Sequence, residues 1–200
     1  MGDSGNKVLR RDASLPFFSA PFKIVKNLYD NRQLLKHFIG RDLKVRYHNS
    51  ILGYGWSVLE PLALTVTFYI LFAILSDSED PYRPLTILVG ILAWSLFAKT
   101  FSNGTTCIQR SSSLIKRVYF PREIFIFSKS GFNMVQFLLS LLVIIPLLIH
   151  YDLMPSKQIL LLPVALVMIL MLGTGLAFFT SILQTKARDI EHMVTIGLRI

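Results

Sequence analysis

WSVLEPLALTVTFYILFAIL, residues 56–75, runs for twenty residues with one charged side chain, Glu60. About 20 mostly apolar residues suffice for a helix to cross a bilayer. Three further segments share this character: LTILVGILAWSLFAKTF (85–101), FNMVQFLLSLLVIIPLLIH (132–150) and QILLLPVALVMILMLGTGLAFFTSIL (158–183). Four such runs in 200 residues predict an all-α integral membrane protein, a polytopic helical bundle. The last eight residues, MVTIGLRI, begin another apolar run and are read as the start of a fifth span or a tail along the interface. Pro61, Pro146 and Pro163 fall inside these spans, where neighbouring helices can satisfy the freed carbonyls.

Composition agrees. The chain is 52% hydrophobic and 16% charged, with mean hydropathy +0.53. A soluble domain would carry about 25% charged residues. The net charge of +9 fits basic cytoplasmic loops as well as a nucleic-acid partner. The membrane reading accounts for it, and no nucleic-acid partner is expected. Ten Lys/Arg fall in residues 1–55, five in 102–130 and two in 184–192. The segments 76–84 and 151–157 hold only Arg83 and Lys157. This bias places the N-terminus and the 102–130 and 184–192 loops on the cytoplasmic side. The polar N-terminus shows no cleavable signal peptide, and residues 1–23 are expected to be disordered.

Upstream of the first span lies RDLKVRYHNSILGYG (41–55). On a helical wheel of residues 24–48, Ile24, Val25, Leu28, Leu34, Leu35, Phe38, Ile39 and Leu43 cover one half. Lys26, Lys36, His37, Arg41, Lys44 and His48 mostly cover the other. That pattern predicts an amphipathic interfacial helix over 24–52, its basic face toward anionic lipid. Asp42 and Arg46 intrude near the apolar side; spaced i,i+4, they either pair with each other as a solvated ion pair or face protein rather than lipid. Gly53 and Gly55 let the backbone turn into the first span, with Tyr54 and Trp56 at headgroup depth. Glu60, beside Pro61, needs a partner or an interfacial position. Lys99 and His150 are read as snorkelling from span ends.

The long loop after the second span contains SSSLIKRV (111–118), with serine N-caps and a basic C-terminal turn that suit a short helix. Pro121 closes it. No GxxxxGK[ST] phosphate loop, GxSxG elbow or HExxH pair occurs, and the single cysteine, Cys107, belongs to no zinc-spaced cluster. No catalytic, metal or cofactor residue is expected in this chain. It is read as a transport component, not an enzyme, whose energy comes from another chain.

Three motifs then converge: RDLKVRYHNSILGYGWSVLEPL (41–62), KRVYFPREIF (116–125) and GTGLAFFTSILQTKARDIEH (173–192). With these the chain resembles the permease subunit of type-2 ABC exporters, in the group that exports polysaccharide and polyol-phosphate polymers such as O-antigen, teichoic acid and capsule. The resemblance covers roughly residues 25–200. It implies a permease homodimer in the cell membrane, an ABC ATPase subunit carrying ATP and Mg, and a glycan or lipid-linked polymer as substrate. It also implies six spans, so the permease domain over 56–200 is expected to be cut short at its C-terminus.

Carried over by position, residues 25–50 resemble the interfacial gate helix. Arg41, Asp42, Arg46, Tyr47, Gly53, Gly55, Trp56, Glu60 and Pro61 form the gate and hinge. Ser111, Ser112, Ser113, Leu114, Ile115 and Lys116 resemble a first element coupling to the ATPase, and Lys186, Ala187, Arg188 and Asp189 begin a second. Phe120, Pro121, Arg122 and Glu123 are the FPRE box. Phe68, Tyr69, Phe72, Trp94, Phe97 and Phe101 are candidate sugar-stacking aromatics of a conduit or, alternatively, packing residues. A drug or lipid exporter and a non-transport membrane scaffold remain alternative functions.

Overall fold

In the computed structural model, residues 20–75, 80–117, 121–153 and 157–199 are described; the first residue of the FPRE box, Phe120, lies outside them. Two helices, α1 (Ala20–Asp30) and α2 (Arg32–Tyr47), precede the first span α3 (Trp56–Leu75). Next come α4 (Arg83–Arg110), the short α5 (Ser112–Arg117), α6 (Glu123–Leu141) and α7 (Ile144–His150). Last are α8 (Leu162–Lys186) and α9 (Ile190–Gly197). Among the described residues four helical stretches are long and apolar enough to span a membrane: Gly53–Leu75, Arg83–Arg110, Glu123–His150 and Ile159–Lys186. The chain is an all-α polytopic membrane protein.

Helix α4 is the centre of the bundle and packs on α3, α6 and α8. Two apolar clusters hold it. Leu88, Leu92, Leu96, Phe137, Val143 and Leu166 form one, and Cys107, Phe125, Ile126 and Ala177 the other. Between them along α4, α6 and α8 lies a buried polar layer containing Thr100, Asn133 and Thr174. In lipid, apolar burial gives little net drive between helices, so packing and interhelical hydrogen bonds carry association.

The α4–α8 seam shows the packing term. A Cβ on Gly104 would sit 2.5 Å from the Ala177 Cβ, and one on Gly173 3.2 Å from Thr100 Cγ2. Thr105 and Thr180 share a hydroxyl hydrogen bond of 2.7 Å. Contacts at 100–173, 104–177 and 105–180 advance together, so the two helices run parallel. Both helices therefore deliver their C-termini to the same end of the bundle. At the other end Tyr82, before α4, meets Tyr151, after α7, with ring centroids 5.8 Å apart.

Helix α4 continues nine residues past the end expected at 101. The stretch SNGTTCIQR loses hydropathy and so reads as loop. Its small residues instead face α6 and α8, and Thr105 turns its hydroxyl onto the Phe101 carbonyl at 2.9 Å. Helix α6 likewise starts at Glu123, before the 132 expected. At about 1.5 Å per residue, the 28 residues of α4 reach about 42 Å, more than a hydrocarbon core of about 30 Å requires. Lys99 lies well before the end of helix α4, which continues to Arg110.

The prolines differ in effect. Pro61 sits inside α3, and the Thr65 hydroxyl bonds its carbonyl at 2.7 Å. Pro146 lies just beyond the α6–α7 break at Leu142–Val143, where a proline ring clashes with the carbonyl four residues back. Pro163 is in the first turn of α8, not its interior, a position whose missing N–H costs nothing.

Candidate functional site

The hinge is built where α2 meets α3. Gly53 has φ +49°, the left-handed region that glycine enters without strain. It opens a 3-10 turn, Gly53–Gly55, that leads straight into α3. Gly55 does not share the positive φ: a Cβ there would meet the Leu52 Cβ at an ordinary 3.7 Å. Of the two glycines, only Gly53 supplies special geometry. Tyr54 and Trp56 are exposed beside it, and the Tyr54 ring lies 4.5 Å from that of Tyr47.

Tyr47 fastens the turn to the bundle. Its hydroxyl shares a short hydrogen bond with Ser57 Oγ and receives one from Gln136 Nε2 at 2.9 Å. Ser140 Oγ donates to the Ser57 carbonyl at 2.7 Å. Hinge, α3 and α6 are thereby one hydrogen-bonded unit. Ser57, Gln136 and Ser140 escaped the sequence reading. The signal was present: Asn133, Gln136 and Ser140 recur at helical spacing inside an apolar span.

Of the two readings of Asp42 and Arg46, the structure shows the second: each faces a protein partner on another helix. Asp42 turns to α6 and takes Lys129 Nζ at 2.6 Å, with Arg41 at 2.9 Å on its other oxygen. Arg46 turns to α3, where its guanidinium stands 3.9 Å from Glu60. The reason is tertiary: α2 follows α6 for three turns, with Phe38 stacked on Phe125 at 5.3 Å. Ile39 packs against Gly131, where an added Cβ would fall 2.6 Å from Ile39 Cδ1. Asp42 sits within that contact, and a mostly buried carboxylate there selects the cation opposite it.

Glu60 has the partner its position requires: Lys99 Nζ donates to Glu60 Oε2 at 3.0 Å. Arg46, Tyr47, Trp56, Leu59, Glu60 and Leu64 line an open groove of about 690 Å³ between α2 and α3. Its lining mixes the charges of Arg46 and Glu60 with the apolar side chains of Leu59, Ala63 and Leu64. A second open groove, about 790 Å³, is lined by Lys36, His37, Arg41 and Lys44 beside Gly40 on α2.

The two short elements expected to couple to a partner both stand at the end reached by α4 and α8. Helix α5 occupies Ser112–Arg117; Ser111 is the buried C-cap of α4, and its carbonyl accepts from the Leu114 and Ile115 N–H groups. Ser112, Ser113 and Leu114 face outward. Ile115 does not: it packs on the Cys107–Phe125 cluster. The Lys116 side chain lies outside the described residues. In the second element, Lys186 ends α8, Ala187 is extended and Arg188 and Asp189 lead into α9, all four exposed. In the FPRE box, Pro121 and Arg122 open α6, and Glu123 accepts from Asn27 Nδ2 at 3.1 Å, tying α1 to α6.

The aromatics divide. Trp94, Phe97 and Phe101 form a ladder along α4, with centroids 5.7 and 6.0 Å apart. Phe68, Tyr69 and Phe72 lie on the outer face of α3, each 41–44% exposed, apart from that ladder.

Comparison with known proteins follows the same lines. The family model described as ABC-2 type transporter matches residues 33–200. An O-antigen export system permease protein, RfbA, of Myxococcus xanthus is 29% identical over 173 residues, covering 86% of this chain and 66% of its own length. A protein of the same name from Klebsiella pneumoniae is 29% identical over 168 residues, covering 84% and 65%. The chain thus spans a little under two thirds of the length of the curated relatives it matches. With the family match running from α2 to the last residue, over hinge, bundle and both short elements, the chain belongs to the ABC-2 type transporter family.

Proposed function

We propose that the chain is the membrane-spanning permease subunit of an ATP-driven exporter that moves a polysaccharide or lipid-linked glycan across the cytoplasmic membrane. The observation that carries the substrate class is the likeness, over 84–86% of the chain, to relatives named as O-antigen export permeases. The parallel α4 and α8 support the transport reading, because they bring α5 and the 187–189 elbow to one end, as docking on a single partner demands.

In this reading the N-terminus, α5 and the elbow are cytoplasmic, and two copies of the chain assemble with ABC ATPase subunits that bind ATP and Mg. ATP-driven closure of those subunits moves α5 and the elbow, and α4 and α8 pass the motion to the bundle. The groove between α2 and α3 suits an amphipathic substrate. Its apolar side chains Leu59 and Leu64 take lipid, and Arg46 takes an anionic head. The basic groove on α2 faces membrane lipid.

The test is at Leu114, 37% exposed on the outer side of α5. Truncating or charging an interface anchor commonly costs more than about 1 kcal/mol. Leu114→Asp should release the ATPase on co-purification while the permease still inserts. Retention of the ATPase with unchanged ATP-dependent export removes α5 from the coupling role.

A further inference from the structure

We propose that Gln184 is a positioning residue that locks the two partner-facing elements, α5 and the 187–189 elbow, into one rigid unit. The inference rests on the reading of both as ATPase contacts, and it concerns how they move together.

Gln184 is in the last turn of α8 and 1% exposed. A buried amide is costly unless its hydrogen bonds are made. Here all are. Nε2 donates to Gln109 Oε1 at 2.8 Å and to the Arg188 carbonyl at 3.2 Å, and Oε1 accepts from the Glu191 N–H at 2.8 Å. The first bond crosses to the last turn of α4, two residues before Ser111 and α5. The second holds the elbow. The third satisfies an orphan N–H in the first turn of α9, a service usually given by an N-cap side chain. Asp189, the N-cap itself, makes no such bond. Outside this core, Arg110 Nη2 reaches Glu191 Oε1 at 3.0 Å, again joining α4 to α9.

One side chain therefore fixes the end of α4, the elbow and the start of α9 together. Without it, the two elements are joined only by the exposed Arg110–Glu191 pair and, further in, by the α4–α8 seam, and a push on one reaches the other less directly. An apolar residue would fill the space without making any of the three bonds. The geometry thus assigns Gln184 to force transmission, not to contact with the partner.

The experiment uses the full chain in lipid nanodiscs, spin-labelled at Ser113→Cys and Asp189→Cys, both exposed positions. Cys107, fully buried, stays out of reach of the label. The unaltered background should give one narrow distance peak. Gln184→Leu should broaden it. Gln109→Leu, which keeps the elbow and α9 bonds and serves if Gln184→Leu fails to fold, should broaden it as well. In the unlabelled variants with the ATPase added, both should still bind it, yet polymer moved per ATP hydrolysed should fall about tenfold, the scale of one lost buried hydrogen bond. A peak that stays narrow in Gln109→Leu overturns the lock. A broadened peak with unchanged polymer moved per ATP overturns its role in coupling. If the unlabelled, unaltered chain recruits no ATPase, the permease reading fails instead, and the distance peak still decides the lock.

Discussion

Lys99 Nζ lies 3.0 Å from Glu60 Oε2, joining the middle of α4 to the second turn of α3. Arg46 adds a second cation at 3.9 Å. One carboxylate between two cations leaves a net charge of +1 beside the α2–α3 groove, and Glu60 is paired where a lone carboxylate would be costly.

A double-mutant cycle on this pair follows. Lys99→Met and Glu60→Gln should each lower thermal stability in detergent, and the double variant should lose less than the sum. The side chains are 34% and 45% exposed, so the coupling is put at about 0.5–1 kcal/mol. Additive losses in fluorescence-detected unfolding contradict a coupled pair.

The hinge separates two glycines that look alike. Gly53→Val forces a β-branched residue to positive φ and should cost about 1–2 kcal/mol and lower the yield of assembled protein. Gly55→Val should be close to neutral. Equal behaviour of the two variants in melting temperature and yield contradicts the assigned turn.

Close packing of α4 on α8 makes a reciprocal prediction. Gly104→Ala overpacks against Ala177 and should destabilise by about 1–3 kcal/mol. Adding Ala177→Gly should restore most of the loss. Failure of that rescue, read as melting temperature, contradicts the parallel seam.

Much of this was legible in the sequence. The spans follow from apolar length, and the hinge from a basic amphipathic run meeting two glycines beside Trp56. Less legible was everything that depends on which helix lies opposite. Asp42 and Arg46 satisfy an i,i+4 rule, yet each finds a partner elsewhere, because α2 runs along α6 and α3 supplies Glu60. The end of α4 was hidden for a related reason: Gly104 and Thr105 lower hydropathy because they make close helix contacts. Leu114 and Ile115 are neighbours of one character, and only the fold turns one outward and the other inward.

Orientation is tested by labelling. With a cytoplasmic N-terminus, Lys157→Cys should react with an impermeant maleimide in sealed cells and Ser112→Cys should react only after lysis. Labelling of Ser112→Cys from outside reverses the topology and removes α5 from any cytoplasmic partner.

The most direct measurement is transport itself. The chain, in full natural length and with its partner ATPase, is placed in proteoliposomes with lipid-linked polysaccharide. ATP and Mg are supplied on the side bearing α5, and polymer on the far side is counted with a glycan-binding probe. The account predicts polymer appearing only with hydrolysable ATP, and its loss in Leu114→Asp. Polymer that stays put while ATP is hydrolysed, with a drug or plain phospholipid moving in its place, contradicts it.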